Sequence, residues 1–311
     1  MGKNMEKSIL SNLLVALSKE GADVTVKEAI RNGRKESTGI VFNGICGKEI
    51  VPKSESGTQI SPILYADDYI QDLLAGEFEK VAKKMVATVL GADIEYANGI
   101  RKNAEAFIGS FEAAKKNLIL CVAPKVASEI VRSSILDLKL YVRISVGSGE
   151  SVAVTKTLLD YWGIDEEELF AAAMESAMAR GYRIISLAEY VNSEKWGPEM
   201  EPESQSIMEA TEVKSDMTYI VSNSESRYGA SALVMPEILA KIAKLLGITD
   251  RMVIIPSSIH EILIMRMNWD IPDKEICQMI QDVNAEEVEE SEVLSSHPYY
   301  YNAKTGELSI K

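Results

Sequence analysis

The chain has 311 residues, 46% of them apolar and 26% charged, and its 47 acidic against 33 basic side chains give a formal charge of −14 at pH 7. There is enough apolar surface for a sizeable core, which excludes wholesale disorder. The negative charge opposes direct binding to nucleic acid or to an anionic membrane, and makes a basic protein surface the favoured partner beside plain solubility.

Cys46, Cys121 and Cys277 are odd in number and far apart. They form neither a disulfide framework nor a paired-cysteine metal knuckle, and they suit a reduced, cytoplasmic protein. No run approaches the roughly 20 apolar residues of a membrane span. The start of the chain lacks a secretory cleavage site, and Glu6 stands where a myristoylation signal wants Ser or Thr.

Ile9, Leu10, Leu13, Leu14 and Leu17 recur at helical spacing and predict an amphipathic docking helix over 5–19. Asp23 to Ile30 and Thr38 to Phe42 read as a hairpin turning at Asn32-Gly33, with another reversal at Asn43-Gly44 and Gly47. Ser61-Pro62 opens a helical tract, and Glu77 to Leu90 a second helix ending at Gly91. Asp67 and Asp68 are helix neighbours about 100° apart, which favours a solvated face over a metal pair. Residues 92–115 read as exposed helix.

Asn117 to Ala123 is a compact apolar strand. Ile135 to Val146, ILDLKLYVRISV, alternates Leu136, Leu138, Leu140, Val142 and Ile144 against Asp137, Lys139 and Arg143, the pattern of a strand with one wet face. The following GSGES has the wrong glycine spacing for a phosphate loop and reads as a hairpin turn into Ser151 to Val154. Thr155 and Asp165 cap two helices that stop at Gly163 and Gly181. Tyr182 to Val191 reads as a strand, and 192–206 as a long polar loop. After the strand Met217 to Val221 comes the polar turn SNSESRYG, then a helix that Pro236 divides into a short first turn and a main part. RMVIIPSSIHEILIMRM supplies two β-like runs joined by Pro256, Ser257 and Ser258, with His260 and Glu261 leading the second. A helix from Asp273 to Val283 and the hairpin YYYNAKTGELSI close the chain.

The stretches TYIVSNSESRYGASALVMPEILAKIAKLLG, VIIPSSIHEILI and QDVNAEEVEESEVLSSHPYYYNAKTGEL carry a resemblance. So do GIVFNGICGKEI, ISPILYADDYIQDLLAGEFEKVAKKM and TLLDYWGIDEEELFAAAMES earlier in the chain. On them the chain resembles an uncharacterised bacterial family found in gut bacteria and their mobile elements. The resemblance spans about residues 36–311 and leaves the first helix as an extension. A weaker similarity reaches a second uncharacterised bacterial family, in which a strand, a polar turn, a helix and a proline-led strand recur. Neither implies an activity.

Chemistry therefore rests on the polar residues themselves. Ser222, Asn223, Tyr228, Gly229 and Ser231 form one group, and Ser257, Ser258, His260 and Glu261 another. If they converge, backbone N–H groups at a helix start would hold an anion, and His260 would act as a general base oriented by a carboxylate and close to a serine hydroxyl, with His260, Glu261 and Ser258 as the catalytic candidates. Against this, neighbours along a strand point to opposite faces, and serine and asparagine in turns commonly satisfy local backbone. With two histidines and no metal-binding motif, no metal or cofactor is expected. The glutamate run 286–292 reads as a solvated helix end, or as an acidic docking strip.

The sequence thus predicts an α+β protein with mixed or antiparallel sheets and packed helices, in two closely associated lobes, 1–115 and 116–311. Its first functional reading is a non-enzymatic cytosolic interaction or regulatory protein, an anti-defence inhibitor of phage or mobile-element origin. The alternative is a small enzyme or ligand-binding protein using the residues around 222–231 and 256–261.

Overall fold

The computed structural model describes residues 3–31, 34–50, 62–91, 94–147, 149–196, 205–213, 216–266 and 271–310. The fold is α+β, and every strand pairing among the described residues is antiparallel. The chain divides into two compact units, Met1–Ser110 with Val146–Glu150, and Phe111–Ser145 with Ser151–Lys311. Among the described residues no helix is long and apolar enough to cross a membrane.

The first unit holds α1 (Lys3–Lys19), β1 (Ala22–Arg31), β2 (Arg34–Ile45), β3 (Lys48–Glu49), β4 (Ile63–Tyr65), α2 (Ile70–Leu74), α3 (Phe78–Leu90) and α4 (Ile94–Gly109). Leu13 and Leu17 of α1 are buried with Ile40 and Phe42 of β2 and Val81 and Met85 of α3, so helical and strand periodicities meet in one core. The expected turn at Asn32-Gly33, together with Ser61, lies outside the described residues. Two expectations need correction. The reversal falls at Cys46 and Gly47, both at positive φ, while Gly44 lies inside β2 opposite Glu49. The tract after Pro62 begins as strand, because Ile63 to Tyr65 pair with Gly39 to Val41 of β2 before the chain turns helical.

The second unit opens with α5 (Phe111–Ala114), β5 (Leu118–Ala123), β6 (Arg132–Ile135), β7 (Leu138–Ser145) and β8 (Ser151–Ala153). It continues with α6 (Lys156–Trp162), α7 (Glu166–Arg180), β9 (Tyr182–Ser186), α8 (Leu187–Trp196), β10 (Gln205–Ser206) and β11 (Thr218–Asn223). A 3₁₀ turn, Gly229–Val234, leads to α9 (Pro236–Leu245), β12 (Arg251–Ile255), β13 (Ile262–Met265), α10 (Asp273–Glu286), β14 (Tyr299–Asn302) and β15 (Leu308–Ser309). Strands β5 to β8 form a small sheet with β7 at its centre. The larger sheet has the order β10-β9-β11-β13-β12-β14-β15.

Local rules explain several boundaries. Thr155 accepts the Leu158 amide at 3.2 Å and Asp165 accepts that of Glu168 at 2.8 Å, each satisfying a helix-start donor. Pro236 opens α9 at its first turn, where its missing N–H costs nothing, so the chain breaks there instead of kinking. The long strand expected over 135–146 is a hairpin end: Ile135 pairs with Leu138 and the chain turns through Leu136, at φ 52°, and Asp137. From Leu138 onward the alternation is real, but the second face is only partly wet: Lys139 and Arg143 are half-buried, Tyr141 is fully buried, and the Arg143 guanidinium lies 5.7 Å from the ring of Tyr228. The strand expected over 182–191 stops at Ser186 and becomes α8. Helix continues to Trp196, so the loop expected over 192–206 is partly helical, and its residues 197–204 lie outside those described.

In the larger sheet Val253, Ile255 and Tyr300 pack with Ile276 and Ile280 of α10. Met252 and Ile254, pointing the other way, are also buried. A sheet covered on both faces explains the unbroken apolar run of β12.

Candidate functional site

The site forms where β11 ends. Asn223 accepts the amides of Glu225 and Arg227, both at 3.1 Å, and its amide nitrogen donates to the Arg227 carbonyl, so one side chain holds the whole turn. The turn needs left-handed backbone at Ser226 (φ 53°) and Tyr228 (φ 59°). It then drives Gly229 against the neighbouring chain. A Cβ on Gly229 would sit 2.7 Å from the His260 carbonyl and closer still to Ser222 Oγ and the Asn223 amide, so only glycine fits.

The loop between β12 and β13 meets this turn. His260 and Glu261 lie in that loop, ahead of a strand that starts at Ile262, so strand alternation does not govern where they point. The Tyr228 amide donates to His260 Nδ1 at 3.1 Å, and His260 Nε2 faces Glu292 at 3.2 Å. Nδ1 must be free of a proton to accept, so Nε2 carries the hydrogen and donates to the carboxylate. Ser222 Oγ donates to the His260 carbonyl at 2.8 Å, and the Ala230 amide to the Ile259 carbonyl at 3.4 Å. Ser258 Oγ accepts the His260 amide at 3.0 Å, while Ser257 Oγ donates to Glu261 at 3.2 Å. Ser231 Oγ donates to the Tyr228 carbonyl and shares a 2.9 Å hydrogen bond with the Tyr182 hydroxyl.

The nine residues singled out in the sequence therefore do come together as two interlocked turns. The serine hydroxyls bond backbone, Glu261 or Tyr182. Among the described residues no serine hydroxyl bonds a histidine ring nitrogen, which nucleophilic catalysis requires. Glu261, adjacent in sequence, does not orient His260; Glu292 does, a residue that nothing distinguishes within its glutamate run.

Behind the turns lies a second polar layer that sequence reading missed. Cys121 and Tyr141 stand opposite each other on β5 and β7, and both are completely buried. Burial pushes the Cys121 thiol up to about 12, against the lowering influence of Arg143, Tyr141 and Arg180, so it stays protonated and unreactive. Burial raises Tyr141 well above the ordinary tyrosine range and carries Tyr182 up to about 12. Arg143 donates to Ser151 through Nε and Nη2, both at 2.7 Å; Arg180 pairs with Glu225. Among the described residues, Tyr141 Oη, Arg143 Nη1 and Arg180 Nε are buried with no hydrogen-bond partner. The visible signal was a tyrosine on the supposed wet face of β7.

A void of about 10 Å³ is lined by Arg180, Tyr182, Asn223 and Ser231 among others, room for roughly one water molecule and far below the hundreds of cubic ångströms of a metabolite pocket. Among the described residues no three His, Cys, Asp or Glu side chains gather in a way that would hold a metal ion.

Neither a curated protein nor a solved structure matches the chain. A family model does, over residues 3–303, so α1 falls inside the matched extent and is not an extension ahead of it. With nearly the whole chain matched, the protein belongs to DUF5688, a family of unknown function.

Proposed function

We propose that this protein is a non-enzymatic interaction or regulatory protein of the bacterial cytosol that docks a basic partner. The observation that supports this reading is the mutual saturation of the polar constellation. His260 uses one ring nitrogen to hold the Tyr228 amide and the other to bond Glu292, and the neighbouring hydroxyls are engaged in the same joint. The charge of −14 is then the property through which the molecule meets others, steering basic surfaces toward it and repelling nucleic acid. Three widely spaced free cysteines suit a reducing compartment. The resemblance to proteins of gut bacteria and their mobile elements supports a setting in which a small acidic protein inhibits a host defence factor.

Affinity capture from a native bacterial lysate at low salt tests the reading. A specific basic protein is expected on the resin and should be released as ionic strength rises, because charged docking weakens with screening. Persistent absence of a partner at low salt counts against it. A ligand-binding role for the 222–261 joint predicts instead a rise in melting temperature with a nucleotide, phosphate or metabolite.

A further inference from the structure

Away from the joint, α7 and the start of α9 enclose a groove of about 180 Å³ lined by Met174, Glu175, Met178, Met235, Pro236 and Glu237. Met174 and Met178 are one helical turn apart and share a face of α7. Met174 is 36% exposed, while Met235 is only 4% exposed, so the groove runs from a free methionine down to a buried one. Thioether side chains are flexible and polarizable, and they reshape around an inserted apolar group better than branched ones do. The volume suits one leucine, methionine or phenylalanine side chain.

The charge lining it has one sign, although Lys115, paired with Glu112, lies near enough to feel Glu175. Glu175 and Glu237 are exposed, and no residue lining the groove is basic. Glu237 stands in the first turn of α9, where it offsets the positive end of the helix, so the groove does not favour an anion. Glu166, Glu167 and Glu168 in the first turn of α7 add to the negative field. An apolar floor under an acidic rim is the complement of an amphipathic basic segment, which offers an apolar anchor between Lys or Arg residues.

We infer that this groove receives one apolar side chain of a basic segment on a partner protein, with Glu175 and Glu237 meeting the flanking Lys or Arg residues. The inference rests on the interaction reading above and gives it a place on the surface.

Fluorescence anisotropy on the full chain tests it, with a labelled amphipathic leucine–lysine peptide as probe and its leucine–glutamate counterpart as control. The lysine peptide should bind at low salt and the glutamate peptide should not. Met174→Gln, at an exposed position, and the double variant Glu175→Lys/Glu237→Lys should each weaken binding by about tenfold or more, since one lost anchor or ion pair at a desolvated contact is worth that much. Glu287→Lys, beyond the end of α10 and outside the groove, should change it by less than about twofold, the scale of a solvent-exposed charge. Thermal melts unchanged from the parent keep misfolding out of the comparison. Equal binding by the parent and both groove variants overturns the groove assignment and leaves the broader interaction reading to the capture experiment. No binding of either peptide also overturns the assignment. A concentration-dependent dimer in sedimentation that Met174→Gln abolishes would show a second copy of the chain as the occupant, and the basic-partner inference fails.

Discussion

A methyl group at residue 229 would strike backbone on two sides, the Asn223 amide at the paired end of β11 and the His260 carbonyl that accepts from Ser222. Gly229→Ala should therefore cost about 3 kcal/mol or more, at the upper end for overpacking, read as a lowered urea midpoint with unchanged slope. Leu136 presents the opposite case. It holds φ 52° in the two-residue β6–β7 turn with its side chain 44% exposed, a conformation that leucine tolerates poorly and asparagine accepts. Leu136→Asn should stabilise the protein by about 0.5–1 kcal/mol in the same assay, and a loss of stability would show that the exposed leucine contributes packing after all. The sequence displayed the residues of the joint but not its wiring. SNSESRYG and PSSIHE announce turns through their serines, asparagine and glycine, whereas the partner of His260 is one glutamate among several, selected by where the chain after α10 passes.

Between β9 and α8 the chain changes from strand to helix without glycine or proline. Ser186 supplies the change: its hydroxyl accepts the Glu189 amide at 3.3 Å and donates to Asp216, which also accepts the Ala188 amide at 3.0 Å. Burial by itself would raise the Asp216 carboxyl, but the hydrogen bonds from Ser186 and from the amides of Ala188, Met217 and Thr218 outweigh it and hold the group below its ordinary 3.8. A depressed carboxyl contributes stability that is present above its unfolded value and lost as pH falls through its lower folded value. Asp216→Asn should thus cost about 1 kcal/mol near neutrality, the scale of a helix cap, and the gap between variant and parent should narrow below about pH 4. Chemical denaturation at several pH values measures it; a gap independent of pH would mean the carboxylate charge is not what holds α8. This is also why the boundary was illegible. RIISLAEYV reads as one β-like run, and the residue that interrupts it lies 30 positions along the chain from Ser186. Where punctuation was local, as with Thr155, Asp165, Gly163 and Pro236, helix limits followed from the sequence.

Across the second unit, the small sheet is fastened to the large one at Asp137, the tip of the β6–β7 turn. Its carboxylate accepts the Tyr299 hydroxyl at 2.9 Å and meets His297 Nε2 at 3.0 Å, while His297 Nδ1 faces the Pro298 carbonyl at 3.2 Å. Burial raises Tyr299 above its ordinary range and the Asp137 carboxylate adds to the rise, so the phenol stays a donor. Asp137→Ala removes that acceptor from a fully buried tyrosine and should destabilise by about 1–3 kcal/mol, whereas Tyr299→Phe, which removes donor and need together, should cost less. Comparing the two urea midpoints checks the order. No periodicity reveals such a fastening, because it joins residues 162 positions apart.

The joint at Gly229 also bears on the order of folding. Ser222 and His260 are 38 residues apart, and β13 lies in the sheet between β11 and β12, with the 3₁₀ turn and α9 in the chain between those two strands. A contact that waits on so long a closure belongs late on the folding route. Gly229→Ala should then act mainly on the unfolding arm of a chevron plot, letting the native state open faster while refolding proceeds at nearly the parental rate. Its close-packed backbone would serve as a latch on kinetic persistence more than as a nucleus.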